Sequence, residues 1–212
     1  MEVSVDGEKG VFDISKDTSF TKVIESARNY AAAKRRVIVS IAVNGKQLDA
    51  REQLDLTNRK LEENTSLDIK TEDPFKLSIA ILGELKSHLD NLEKLHIEAA
   101  KSINAGKNKE ALFILDKCLV GWRAFFISIT GVSLITKIDY TTVIVKGETI
   151  VKKISSLNGV LVKFADAFAK EDMVKIGDIA EYELKPFIHD WYDALEEIAD
   201  AVKKLQSVGT PK

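Results

Sequence analysis

The chain is short of the features that usually announce a chemistry. It has one cysteine, Cys118, in 212 residues, so an internal disulfide is excluded and a reducing compartment is expected. Its eleven glycines are scattered and form no phosphate-cradling cluster. An excess of one charge is missing too: 31 Lys and Arg face 33 Asp and Glu, a formal net charge of −2. That balance supplies no field for nucleic acid or anionic lipid, and Lys34-Arg35-Arg36 is too short to create one. The N-terminal stretch Met1–Asp6 lacks the basic and apolar regions of a signal peptide. The most apolar window, Ala111 to Ile135, is interrupted by Asp116, Lys117 and Arg123, charges that are costly inside a bilayer, so it reads as a buried helix. We therefore expect a cytoplasmic protein with no nucleic-acid and no membrane partner.

Apolar material, by contrast, is ample, at 45% of residues. The patterning changes at Asp73-Pro74, where proline disfavours helix before it and suits a helix's first turn. Upstream, Val3-Ser4-Val5 leads into the turn Asp6-Gly7, with Val11-Phe12-Asp13-Ile14 as its expected hairpin partner. Asp17-Thr18-Ser19 offers a cap to a helix whose stripe is Phe20, Val23, Ile24, Ala27, Ala31 and Ala32. Val37 to Val43 is a strand run closed by Asn44-Gly45, and strands at Lys46–Leu48 and Leu67–Ile69 complete the order ββαβββ.

The stretch Asn44-Gly45-Lys46-Gln47-Leu48, with Leu54 six residues later and Glu63-Asn64-Thr65-Ser66-Leu67-Asp68-Ile69 beyond, resembles the second half of ubiquitin. The resemblance implies a ubiquitin-like β-grasp domain over residues 1–72. It does not carry the family's functions across, since fold alone does not. Ubiquitin and the similar sulfur carriers act through a free diglycine tail, whereas this strand runs into Thr71-Glu72-Asp73-Pro74 and more chain. The positions matching ubiquitin's apolar recognition patch are Ala42, Asp68 and Lys70.

Downstream, apolar positions recur at spacings of three and four in four segments, as in an antiparallel up-down four-helix bundle over 74–207, with a disordered tail at 208–212. The third segment is expected to be helical from Val143. Stacked in layers, the seams set His96 level with Leu119, Leu161 and Glu181, and Gly147 level with Leu82 and Leu195. His96 and Glu181 would then form a buried polar pair flanked by Cys118, acting as a register device or as the centre of a ligand or acid–base site. Glu93-Lys94-Leu95-His96 matches the Glu-x-x-His pattern of di-iron bundles, but the fourth segment has Pro186 three residues after Glu183, so no metal site or other cofactor is expected. Pro186 should kink its helix, and Tyr182, His189 and Tyr192 could form a partner surface there.

The fold class expected is thus α+β, and the function expected is non-enzymatic: a protein–protein interaction module, such as an adaptor or an export-chaperone-like bundle. A small-molecule-binding or catalytic bundle centred on His96 and Glu181, and a structural subunit of a larger assembly, are the alternatives. The partner would be an unknown protein, or a second copy in a homo-oligomer.

Overall fold

The computed structural model describes residues 1–12 and 19–209, and it is a mixed α+β chain that divides into two compact units, Met1–Leu77 and Ser78–Lys212. Asp13-Ile14 of the expected second strand and Asp17-Thr18 of the expected cap lie outside the described residues, as do residues 210–212 of the expected tail. Residues 208–209 still belong to the last helix.

In the first unit, β1 (Glu2–Val5) turns at Asp6-Gly7, both at positive φ, into the two-residue β2 (Glu8–Lys9). Helix α1 (Phe20–Ala33) follows, then β3 (Val37–Val43) and β4 (Lys46–Gln47). Asn44 (φ 50°) and Gly45 (φ 80°) make the tight turn between them, a conformation this residue pair adopts readily. A short helix, α2 (Ala50–Leu56), occupies the stretch where no element was assigned. It starts at a capping box in which Asp49 and Glu52 bond each other's backbone N–H at 2.8 and 3.0 Å. Strand β5 (Ser66–Glu72) ends the sheet, whose order is β2-β1-β5-β3-β4 with β1 and β5 parallel. The inward residues of α1 (Phe20, Val23, Ile24, Ala27) share one core with Val3, Val5, Ile41, Leu67 and Ile69.

The boundary expected at Asp73-Pro74 is a helix start: the Asp73 carboxylate accepts from the N–H groups of Phe75 and Lys76 at 2.8 and 2.9 Å, opening α3 (Pro74–Asn104). Helix α4 (Asn108–Thr136) ends at Lys137 in the left-handed region. Next comes a hairpin, β6 (Ile144–Val145) and β7 (Glu148–Thr149), and not the helix expected from Val143. The reason is local: Lys146 (φ 52°) and Gly147 (φ 82°) form a tight turn that no right-handed helix can contain, so Gly147 sits in a turn and not in a core layer.

Helix α5 (Ile150–Ala169) leads to α6 (Met173–Asp178), which continues through a π-helical turn (Ile179–Leu184) into α7 (Lys185–Gly209). Leu85, Leu89, Leu92, Leu115, Trp122, Phe125, Ile129, Leu157, Phe164, Leu184, Ile188 and Trp191 make the core of the second unit. Leu119 of α4 and Leu161 of α5, expected level with His96, are half-buried, while Ala111, Cys118 and Phe125 of α4 and Lys153 of α5 are inside.

Candidate functional site

His96, on the inner face of α3, is 5% exposed and lies edge-on to Phe164, with ring centroids 6.3 Å apart. Its Nε2 accepts a hydrogen bond from Trp122 Nε1–H at 3.1 Å, so the ring's own proton sits on Nδ1. Burial lowers its pKa to about 4, which keeps the ring neutral. Nδ1 has no hydrogen-bond partner among the described residues. Half of the imidazole is thus committed to the core, and the other half is an unpaired donor.

Glu181 is not its buried partner. It is exposed, and the inward positions beside it are Ile176, Ile179, Ala180 and Leu184. The π-helical turn is the cause. The N–H of Lys185 donates to the carbonyl of Ala180, five residues back, so this turn holds one residue more than an α-turn. Counting back from Leu184 and Ile188, the seam falls on Ala180 and Ile176, where an unbroken α-helix would have placed Glu181 and Gly177. Pro186 stands just after the wide turn and has no N–H to offer its preceding turn.

Between α3 and this turn lies a groove of about 230 Å³. His96 is in its wall, together with Ile97 and Ala100 of α3 and Ala180 and Ile188 opposite. Glu93 and Lys101 on one side and Glu181 and Lys185 on the other edge it with charge. His96 and Glu181 therefore do border one space, with the histidine inside and the carboxylate at the solvent edge.

Cys118 is fully buried, and burial pushes its thiol up to about 12, so it is a protonated core residue and not a nucleophile. The expected partner surface is divided. Tyr182 is 70% exposed, but His189 faces Glu93 of α3 at 3.5 Å and the Tyr192 hydroxyl donates to Asp90. Burial first, and then the Asp90 bond, raises the Tyr192 phenol to about 12. His88 meets the Gly121 carbonyl of α4 at 2.8 Å. Two polar features had no forecast in the sequence. The buried Lys153 bonds Asp190 at 2.7 Å, and Lys146 of the hairpin turn reaches Asp190 and Asp193 at 3.1 and 2.6 Å. Among the described residues no three His, Cys, Asp or Glu gather as metal ligands would.

A row of exposed apolar side chains runs along the outer face of α4. Phe113, Val120, Ile127 and Leu134 are 64%, 62%, 66% and 64% exposed and lie seven residues apart. Lys117, Ala124 and Gly131 fall between them, so the stripe runs at alternating spacings of four and three from end to end. At 1.5 Å per residue it is about 30 Å long. Lys117 lies over the Phe113 ring with its Nζ 4.4 Å from the centroid. By length and composition, α4 is also the one helix among the described residues apolar enough to cross a membrane.

Comparison with known proteins places these features in a family. The family described as a domain of unknown function, DUF8042, matches residues 80–194, just over half of the 212, and the chain belongs to it. An uncharacterized protein of Treponema pallidum (strain Nichols) is similar over a longer span: 23% identical across 195 residues, covering 92% of this chain and 96% of that protein. A span of that length must include most of Met1–Leu77, so the likeness extends to the sheet unit. No solved structure matches the chain.

Proposed function

We propose that this DUF8042 protein is a non-enzymatic protein–protein interaction module, built from a ubiquitin-like β-grasp unit and a four-helix bundle, whose docking surface is the outer stripe of α4. The grasp assignment is supported by the order β2-β1-β5-β3-β4 with its parallel β1–β5 pair. The bundle assignment is supported by the four long helical stretches α3, α4, α5 and α6–α7. The observation that carries the function is the exposed heptad of Phe113, Val120, Ile127 and Leu134. A strict seven-residue repeat is what a supercoiled pair of helices buries, and a helix facing only solvent has no use for it.

The occupant that the stripe fits is a second copy of this chain. Laid antiparallel about a two-fold axis near Ala124, Phe113 comes level with Leu134 of the other copy, and Val120 with Ile127. The small Ala124 side chains meet at the centre and allow close approach. Glu110 and Lys137, at opposite ends of α4, come together as an opposite-charge pair, which fixes direction as well as contact. Sheet edges are poorer candidates for self-association, because the edge strands β2 and β4 have only two residues each. A bilayer is a poorer occupant also, since Asp116, Lys117 and Arg123 are exposed along the same helix.

Sedimentation equilibrium of the full chain tests this reading. We expect a reversible dimer, converted to a monomer of unchanged helical content by the double substitution Val120→Glu, Ile127→Glu. A wild-type protein that stays monomeric at all concentrations, or a dimer unaffected by the substitutions, would overturn it. Binding to lipid vesicles in place of dimerisation would assign the stripe to a membrane surface.

A further inference from the structure

We infer that the open edge of β3, together with the groove between that edge and α1, takes an extended acidic segment of a partner protein as an added strand. The site lies within Met1–Leu77 and stands whether or not α4 docks a second copy.

The first observation is an unfinished sheet. β4 pairs with β3 only at Ala42 and Val43, and beyond them the Leu48 N–H donates to the Ile41 carbonyl at 2.9 Å. Val37 to Ser40 has β5 on one side and, among the described residues, no strand on the other. Those four residues span ~13 Å of strand. Open edges are usually blunted by lysine, proline or a bulge. Val37-Ile38-Val39-Ser40 has no charge and no proline, and a bulge falls inside it, between Ile38 and Ser40. A bulge disrupts the ladder locally, so a docked strand gains few main-chain bonds and needs side-chain contacts as well.

The second observation is the source of those contacts. A groove of about 380 Å³ is lined by Ile24, Arg28 and Ala31 of α1, by Ile38 and Val39 of β3, and by Gln53 of α2. A second hollow of about 420 Å³ shares Ile24, Arg28 and Gln53 with it and adds Leu54, which is 73% exposed. An added strand reads such hollows with alternate side chains while its backbone bonds the edge.

Charge is the third observation, and it selects the occupant. Arg28 and Arg36 line the first hollow, and among the described residues no carboxylate does. Arg36 bonds Thr71 at 2.6 and 2.7 Å and lies 3.5 Å from Asp6. Arg28, by contrast, is exposed and has no hydrogen bond or ion pair among the described residues. Glu25 borders only the second hollow, so an acidic side chain is favoured beside β3 and an apolar one beside Leu54. A second copy of the same edge fits poorly, because two-fold pairing would bring like cations together and supply no acid.

The test is NMR on the 15N-labelled full chain, following the β3 amides while the peptide acetyl-Leu-Thr-Val-Thr-Glu-Thr-Glu-amide is added. Laid antiparallel to β3, the more stable pairing, it sets its leucine toward Leu54 and its glutamates toward Arg28 and Arg36. We expect saturable shifts centred on Ile38, Val39 and Ser40, and none with a peptide carrying lysine for both glutamates. Arg28→Glu, at an exposed position, should weaken binding about tenfold. An added strand uses every second peptide N–H, so N-methylation of alternate residues should abolish binding in one phase and spare it in the other. The Val120→Glu, Ile127→Glu chain should bind the peptide as the wild type does, which separates this result from the fate of the α4 surface. No shift at millimolar peptide, equal binding of the lysine peptide, undiminished binding by Arg28→Glu, or equal effects of both methylation phases would overturn the inference. So would β3 shifts on dilution of the chain alone, which would assign the edge to a second copy.

Discussion

In the sheet unit, the registers of the two hairpins are fixed within a few residues of the strands they join, whereas in the helical unit the seam of α6 is set by a single wide turn and its contacts. Asn44-Gly45 alone aligns β3 with β4, and the Asn44 side chain also accepts from the Ser66 N–H of β5 at 2.8 Å. Nothing so local holds the α6–α7 rod. Its inward positions depend on where the extra residue at Ile179–Leu184 is accommodated, and that is decided by packing against α3 and α5. Local signals therefore specify the hairpins of the sheet unit, and tertiary packing specifies the seam of α6.

The largest expected effect probes the tertiary side of this contrast. His96 takes up a proton near pH 6.5 when exposed in the unfolded chain but only near pH 4 when folded. Between those values the unfolded state binds more protons, so folding stability falls as the pH drops through that window, by about 3 kcal/mol in all. The charged groups bordering the ring's groove are Glu93 and Lys101 on its own helix and Glu181 and Lys185 opposite, a neutral set. His96→Gln keeps an acceptor for Trp122 and removes the titration. Urea unfolding at several pH values should show the fall between pH 6.5 and 4 reduced in that variant, and an identical fall in both proteins would refute the burial argument.

A smaller effect is expected at Gly121, where α4 packs against Leu92 of α3. A Cβ on Gly121 would stand 2.7 Å from Cδ2 of Leu92, which is 1% exposed and has little room to retreat. Overpacking of this kind costs ~1–3 kcal/mol, and the helix propensity gained by alanine offsets up to ~1 of that. Gly121→Ala should thus lose about 1 kcal/mol in chemical denaturation, with stability equal to or above wild type as the contrary result. A third effect, of about the same size, tests whether a local signal works equally in both units. Gly45 (φ 80°) and Gly147 (φ 82°) occupy matching turns, so Gly45→Ala and Gly147→Ala should each cost about 1 kcal/mol. Unequal losses would show that one turn is held by something beyond its own backbone.

The same contrast explains what could be read from the sequence. Asn44-Gly45, the α1 stripe and the Asp73-Pro74 helix start all appear where their residues placed them, because each is a short-range rule. The α2 capping box, Asp49 with Glu52, is equally short-range, but no element was expected there. Val143 to Val145 went to a hairpin because Lys146-Gly147 outweighed the helical period around it. Glu181 left the core because periodicity carries no record of an inserted residue, and Pro186 was its one visible trace. Lys153 shows a different limit: a lysine reads as a surface residue until Asp190 is found beside it. The α4 stripe was there to be counted, at spacings of four and three. It passed unnoticed because the opposite face of the same helix had already supplied a seam.

Cysteine cross-linking offers the most direct test of the docking surface. Cys118 is buried with its thiol held protonated, so single cysteines can be added to the wild-type chain. About a two-fold axis near Ala124, Ala124→Cys should form a disulfide-linked dimer under mild oxidation, Phe113→Cys alone should not, and a mixture of Phe113→Cys with Leu134→Cys should. Efficient self-linking by Phe113→Cys, or none by Ala124→Cys, would contradict the antiparallel pairing of α4.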